Sequence, residues 1–261
     1  MDRPGLDVAL SEGVLRVTLN RPDSLNSLDQ TVLVGIAEEI EQAATDPQVR
    51  AVRIGGAGRA FSSGGSIGAT DLAATSERAP ADLIEVANRA VRAIVAMPRP
   101  VVAAVNGPAI GGGAALALTC DVVLASDATF FMLSATKIGL MPDCGATALI
   151  AAAAGRIRAM RMALLAERIS AAEALQCGLV TAVCPADSFD AEVDRQLAVL
   201  VAGPAVAIAK TKAAINAATL VHLDDALERE KRDQSALLDS ADFAEGAASF
   251  QQKRTPRFTD Y

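Results

Sequence analysis

The chain has no tryptophan, one tyrosine and one histidine among its 261 residues, and each scarcity removes a class of chemistry. A serine or cysteine nucleophile needs a base beside it, usually histidine. His222 lies far along the chain from Ser62, Ser63, Ser66 and Cys144, in a stretch that reads as helix. It is given a surface or packing role, and an acyl-enzyme mechanism is set aside. Cys120, Cys144, Cys177 and Cys184 form no CxxC pair, so neither a zinc site nor a disulfide framework is indicated. They read as free thiols of a reducing compartment. Basic residues are outnumbered, 24 against 31 acidic, and the net charge of −7 argues against nucleic acid as a partner. No polybasic segment points to an anionic membrane surface. Residues 1–13 lack the apolar core of a signal peptide. Pro100–Cys120 carries no formal charge, but Pro100, Asn106, Pro108 and three glycines would leave its backbone unpaired in lipid. The expected partners therefore include no nucleic acid and no membrane, and the expected location is the cytoplasm.

Aliphatic residues are abundant where aromatics are not. Hydrophobic residues make up 51% of the chain and aromatics 3%, so the core has to be built from Ala, Val, Leu and Ile. The length fits one large α/β domain with a small appendage.

Two glycine loops stand out. Asn106-Gly-Pro-Ala-Ile-Gly111-Gly112-Gly113 follows the apolar run Val101–Val105 and leads into Ala114–Leu118, a strand, turn and small-residue helix. Bare amides at a helix N-terminus favour negative charge, either a phosphate or an oxyanion that develops during a reaction. The alternative is that the glycines only let a helix lie close to a sheet. Upstream, Phe61-Ser62-Ser63-Gly64-Gly65-Ser66-Ile67 follows the strand Val49–Ile54. Gly55-Gly-Ala-Gly58 lacks the G-x-G-x-x-G spacing, no P-loop occurs, and it reads as a turn. Asp143 sits in an apolar loop, Ile138–Gly145, ahead of an Ala-rich helix. It is either that helix's N-cap or a desolvated carboxylate base.

Elsewhere Val14–Leu19 alternates like a strand, and Ser27 or Asp29 can cap a helix reaching about Ala44 with Val32, Leu33, Ile36 and Ile40 on one face. Residues 70–80 are polar and mixed, Ala81–Ala96 is an amphipathic helix, and Val122–Ala125 and Thr129–Met132 are short strands. After Gly145 helix follows helix, with Leu179–Val183 as the one strand. This order predicts an α/β core, residues 1–200, and a helical region, residues 201–261. No sequence repeat is apparent.

Taken in order, these segments resemble the crotonase (enoyl-CoA hydratase/isomerase) superfamily. The resemblance runs from Val14–Asp23 and Leu25–Leu28 through Phe61–Ile67 and Asn106–Leu118. It continues through Cys120-Asp121 and Gly139–Gly145 to Phe250–Phe258. It implies an α/β fold, a spiral of ββα units with an α-helical C-terminal trimerisation region, assembled as a homotrimer or homohexamer. It implies an acyl-CoA thioester as substrate and no separate cofactor, coenzyme A being part of the substrate. Two backbone amides, matching Gly65 and Gly112, would hold the thioester oxygen and stabilise its enolate. The coenzyme A contacts would fall on Asp23, Ser24, Leu25, Ser63 and Ile67. Phe250 and Lys253 would reach a neighbouring subunit's coenzyme A site.

The departures narrow the chemistry. Hydratases of the family carry two glutamates, and the matching positions here are Ala115 and Ala135. Asp143 matches the position where several isomerase branches carry a catalytic aspartate. A dehalogenase branch also uses a histidine and a tryptophan, which excludes it. Adding water across a double bond suits two carboxylates. Moving the double bond needs one proton lifted and returned two carbons along, which a single carboxyl can do. The expectation is an enoyl-CoA isomerase with Asp143 as proton shuttle. Its alternatives are an enoyl-CoA hydratase of fatty-acid or aromatic-acid degradation and a catalytically silent acyl-CoA-binding protein.

Overall fold

The structure is a computed structural model, and it describes residues 3–65 and 80–260. Its main sheet has six strands. They are β1 (Leu6–Ser11), β2 (Val14–Leu19), β3 (Ala51–Gly56), β4 (Val101–Val105), β6 (Val122–Ser126) and β9 (Ala182–Cys184), in the order β1-β2-β3-β4-β6-β9. β1 and β2 form an antiparallel hairpin, and every later pairing in this sheet is parallel. Each residue of β4 is buried, as a strand covered on both faces requires. A second, three-stranded sheet runs β5 (Ala109–Ile110), β7 (Phe130–Met132) and β8 (Ile169–Ser170).

Isolated bridges Leu28↔Gly65 and Ser62↔Ala109 extend this second sheet. Each early circuit of the chain thus lays one strand in the main sheet and a shorter extended piece in the second. β2 is followed by Leu28, β3 by Ser62–Gly65, β4 by β5, and β6 by β7. This is the expected spiral of ββα units. It is a repeat of geometry, with different residues in each circuit.

The first helix, α1 (Gln30–Thr45), settles the choice of cap in favour of Asp29, whose Oδ1 accepts from Val32 N at 2.9 Å. Val32, Ile36 and Ile40 are buried at helical spacing, with Leu33 half-buried beside them. Helix α2 spans Pro80–Ala96 and α3 Gly112–Thr119. The later helices are α4 (Ala146–Ala154), α5 (Arg156–Leu165), α6 (Ala171–Gln176), α7 (Phe189–Ala202), α8 (Ala205–Thr219), α9 (Leu223–Leu238) and α10 (Ala241–Gln251). The proposed division at residue 200 falls in the last turn of α7. Beyond it, Lys212 on α8 ties the helical region to the core through Asp121 at 2.8 Å and Ile94 O at 2.9 Å.

Three local readings need correction. The strand expected at Leu179–Val183 is Ala182–Cys184, because the Leu179 and Val180 amides turn back to Ala174 O and close α6. β8 is a second strand in that half, and it was hidden by its length of two residues. β1 was not anticipated, because five of its six residues are exposed and carry no burial pattern. The uncharged segment Pro100–Cys120 is divided among β4, β5 and α3. Among the described residues no single helix is long and apolar enough to cross a membrane. α7 and α8 reach that length and composition only as a pair bent by 105°. Ser66, Ile67 and residues 70–79 lie outside the described residues.

The core is aliphatic, as its composition dictates, with Phe61 and Phe131 the largest fully buried side chains. Its loops are held by a polar anchor, Asn26, which is buried with φ +56, a conformation asparagine tolerates. Its Oδ1 accepts from Arg21 N at 2.8 Å, and its Nδ2 donates to Ala57 O at 2.9 Å and Ala60 O at 2.8 Å. Those bonds tie the turn after β2 to the loop after β3. Asn26→Ala should lower stability by about 3 kcal/mol, since it strands buried backbone groups. Urea unfolding measures this, and a loss under about 1 kcal/mol would mean that the two loops hold without the amide.

Candidate active site

Gly65 and Gly112 meet because they follow equivalent short strands on consecutive circuits. Ile110 N donates to Ser62 O at 2.9 Å, and Ser62 N to Pro108 O at 3.1 Å, which sets the two chains side by side. Gly64 and Gly111 then turn at positive φ, +82 and +53. A side chain on Gly64 would meet Ile110 O at 2.5 Å and Gly112 N at 3.0 Å, so close approach of the two loops demands glycine there. A carbon added at Gly112 would stand 3.9 Å from Gly65 N, and one added at Gly65 would meet nothing within 4 Å. Gly112 is the first residue of α3, so its N–H has no intrahelical acceptor, and neither it nor the Gly65 N–H donates to another described residue. Two amides that no described residue uses therefore lie close together at a helix N-terminus, an arrangement suited to a developing oxyanion.

Asp143 belongs to the same cluster. Cys144 Sγ lies 3.8 Å from the position of a carbon on Gly112 and donates to Asp143 Oδ1 at 3.4 Å. Leu28 also borders the space, its Cδ1 3.8 Å from that position. The cap role weighed for Asp143 is filled by another residue. The N-terminus of α4 is capped by Glu230 of α9, which accepts from Gly145 N at 2.7 Å and Thr147 N at 3.1 Å, and also from Thr147 Oγ1. The Asp143 carboxylate is thus left for other work. Gln234, one turn beyond Glu230, donates to Asp143 Oδ2 at 3.1 Å. Burial raises the pKa of Asp143, and the hydrogen bonds from Gln234 and Cys144 oppose the rise. Burial likewise pushes the Cys144 thiol well up, with the Asp143 charge adding to it, so Cys144 is a neutral donor rather than a thiolate nucleophile. Burial also raises Glu230.

The four nearer positions assigned to coenzyme A contact form a group. Pro22–Ser24 is a 3-10 turn that ends at Leu25 with φ +55. Ser63 N donates to Leu25 O at 2.8 Å, and Ser63 Oγ to Ser24 O at 3.0 Å, while Asp23 lies in the turn itself. The fifth position, Ile67, is outside the described residues. Phe250 and Lys253 are exposed at the C-terminal end of α10 and join none of the contacts that gather Gly65, Gly112 and Asp143. Ala115 is buried one turn into α3, and Ala135 opens a 3-10 turn after β7. His222 is exposed ahead of α9, 3.9 Å from Asp225. Among the described residues no group of His, Cys, Asp and Glu is arranged to hold a metal.

Glu230 and Gln234 were missed in the sequence. A signal was present: Leu223, Leu227, Glu230 and Gln234 share one helical face, and all four are buried. Polar residues continuing an apolar stripe mark groups with buried partners.

The chain matches the family described as enoyl-CoA hydratase/isomerase over residues 9–261. It belongs to that family. It is 37% identical to 1,2-epoxyphenylacetyl-CoA isomerase of Escherichia coli, with 96% of each chain covered. It is 40% identical to a probable enoyl-CoA hydratase of Rhodobacter capsulatus, again with 96% of each covered. A crystal structure of an enoyl-CoA hydratase from Mycobacterium avium subsp. paratuberculosis superposes with a TM-score of 0.93 at 63% identity, covering 99% of this chain and 100% of the other. The α/β spiral with C-terminal helices is thus the fold of the family.

Gly112→Pro removes the candidate amide donor at a first helical position, where proline fits. Its kcat should fall about 10²–10³-fold. Gly112→Ala keeps the N–H and should act mainly on KM, by narrowing the space before Gly65. Steady-state kinetics on both proteins, with folding checked by circular dichroism, tests the assignment. Wild-type kcat in folded Gly112→Pro removes this amide from the chemistry.

Proposed function

We propose that this acyl-CoA enzyme is an enoyl-CoA isomerase, in which Asp143 moves a proton between two carbons of an enolate held by Gly65 and Gly112. The observation that carries the reading is the half-buried Asp143 carboxylate, linked to the Gly112 turn through the Cys144 thiol and released from helix capping by Glu230. In a 3-enoyl thioester, Asp143 takes a proton from C2, the electrons pass into the thioester oxygen, and the two amides and the α3 N-terminus receive the charge. The carboxylic acid then returns the proton at C4, leaving the double bond between C2 and C3. Proton and electron pairs balance, and no cofactor is consumed. Alanine at positions 115 and 135 supports this reading over hydration, for which water must be activated as well as a proton delivered. The names of the relatives divide between isomerase and hydratase, so the products distinguish the two.

Asp143→Asn should reduce kcat by about 10³-fold and leave KM within a few-fold, because asparagine keeps the size and loses the base. The acid limb of kcat/KM has a definite sign. Asp143 must be ionised to accept a proton and burial raises its pKa, so activity falls as pH drops through a value above the ordinary aspartate pKa of about 4. Incubation with 3-enoyl- and 2-enoyl-CoA, with product identification, tests both points. Hydrated product as the main outcome would assign a hydratase. Acyl-CoA binding without turnover would assign a silent binding protein.

The same reading assigns a homotrimer, or a hexamer of paired trimers, in the cytoplasm. On α8, Val206 is 70% and Ile215 56% exposed and Ile208 is half-buried, as is Leu220 just after the helix. Leu223 and Leu227 are buried within the chain itself and are not available to a partner. Phe250, 59% exposed, and Lys253 are assigned to a neighbouring subunit's coenzyme A site, the lysine meeting a phosphate. Deleting residues 248–261 should then weaken acyl-CoA binding. A fully active wild-type protein that sediments as a monomer at micromolar concentration overturns this assignment.

A further inference from the structure

Asp143 has two chemically different neighbours, one on each oxygen. Oδ2 accepts from the Gln234 carboxamide at 3.1 Å, whereas Oδ1 faces the Cys144 thiol at 3.4 Å. An amide is a strong donor and a neutral thiol a weak one. The amide therefore occupies Oδ2, and Oδ1 keeps most of its basicity. Oδ1 also lies on the Gly112 side, because the thiol that touches it lies 3.8 Å from the position of a Gly112 side-chain carbon.

Gln234 is itself fixed. Its Oε1 accepts from Met141 N at 3.0 Å, and its Nε2 donates to Met141 O at 3.0 Å as well as to Asp143. The carboxamide is buried, and both ends are satisfied. One turn earlier, Glu230 fastens the other side of the same loop at Gly145 and Thr147. Asp143 thus stands between two clamps from α9, an element about ninety residues away in sequence.

We infer that Gln234 is the positioning residue of the proton shuttle: its amide holds Asp143 by Oδ2 and leaves Oδ1 as the oxygen that takes and returns the substrate proton. This inference rests on Asp143 being the base, and the control for that is Asp143→Asn. Of the described groups, those that bear on this carboxylate are Gln234, Cys144, the main-chain amide of Asp143 itself and the second carboxylate, Glu230.

The test compares Gln234→Leu, Gln234→Glu and Asp143→Asn with wild type. Glutamate at 234 still accepts from Met141 N but, when ionised, has no hydrogen to give Asp143. Both Gln234 variants should lose about 10-fold or more in kcat with KM for acyl-CoA within three-fold. Their acid limb of kcat/KM should move up by about half a unit or more, because a donor to the charged form is gone. A residue that only supports the loop would change thermal stability and leave that limb in place. In wild type, the Gln234 side-chain amide proton should shift in nuclear magnetic resonance along the same titration, a readout that needs no variant. If Asp143→Asn is inactive but a folded Gln234 variant keeps wild-type kcat and acid limb, Gln234 has no part in the shuttle. A flat amide resonance through the titration excludes Gln234 equally. An active Asp143→Asn protein instead overturns the reading on which the inference stands.

Discussion

The pairing of Ser62 with Ala109 is the contact on which the candidate site depends. It joins two successive circuits of the spiral at the rim of the second sheet, and the loops that follow each strand inherit that closeness. Gly64 and Gly111 then turn the backbone by conformations that carry no penalty without a side chain. The amides of Gly65 and Gly112 emerge close together, and no carbonyl of the described residues consumes them. An exposed polar group facing a cavity is normally a cost. In the proposed reaction that cost is recovered, because the acceptor arrives with the substrate. The Asn26 side chain serves the same end from the other direction, locking the β2 turn and the β3 loop together before the glycines are reached.

The proposed isomerisation has a second requirement, a carboxylate basic enough to remove a carbon-bound proton. A cation beside Asp143 would favour its ionised form and depress its basicity. Among the described residues the influences are instead burial, which raises the pKa, and neutral donors, which oppose that rise without cancelling it. Glu230 is a carboxylate on the same face of α9, and it is committed to two amides and a hydroxyl at the start of α4. The two acids thus differ in role because of what each is bonded to: one caps a helix, the other faces the candidate oxyanion site.

How much of this could be read from the chain depended on the range of the interaction. β4 and α3 were legible because an apolar run, a glycine turn and a run of small residues are local signals, and the helix Gly112–Thr119 begins and ends where those signals do. The α1 cap was legible to within two candidate residues. β1 was not, since an exposed edge strand need not alternate, and β8 is too short to carry a pattern. At the site, the glycines and Asp143 were found through ordered motifs. Gln234 and Glu230 were not, because half of α9 is charged and their partners are loop atoms more than eighty residues away. Only their place on the Leu223–Leu227 stripe set them apart from a solvated face.

A proton shuttle with one carboxylate places an unusual demand on its support. The acid must accept from one carbon and donate at another while remaining in register with a fixed oxyanion site, so a small rotation is useful and a large one is harmful. A carboxylate tethered at one oxygen by an amide meets that demand: the held oxygen defines a pivot, and the free oxygen sweeps a short arc. The tether comes from α9, which is pinned to α2 through Arg92 with Asp224 and Glu228, and through Lys231 with Glu85. These pairs are partly exposed and individually weak, and the helix is held chiefly by burial of Leu223 and Leu227 against Val91 and Leu149 on the face that carries Gln234. The loop that carries the candidate base is therefore braced by a helix whose own packing lies outside that loop.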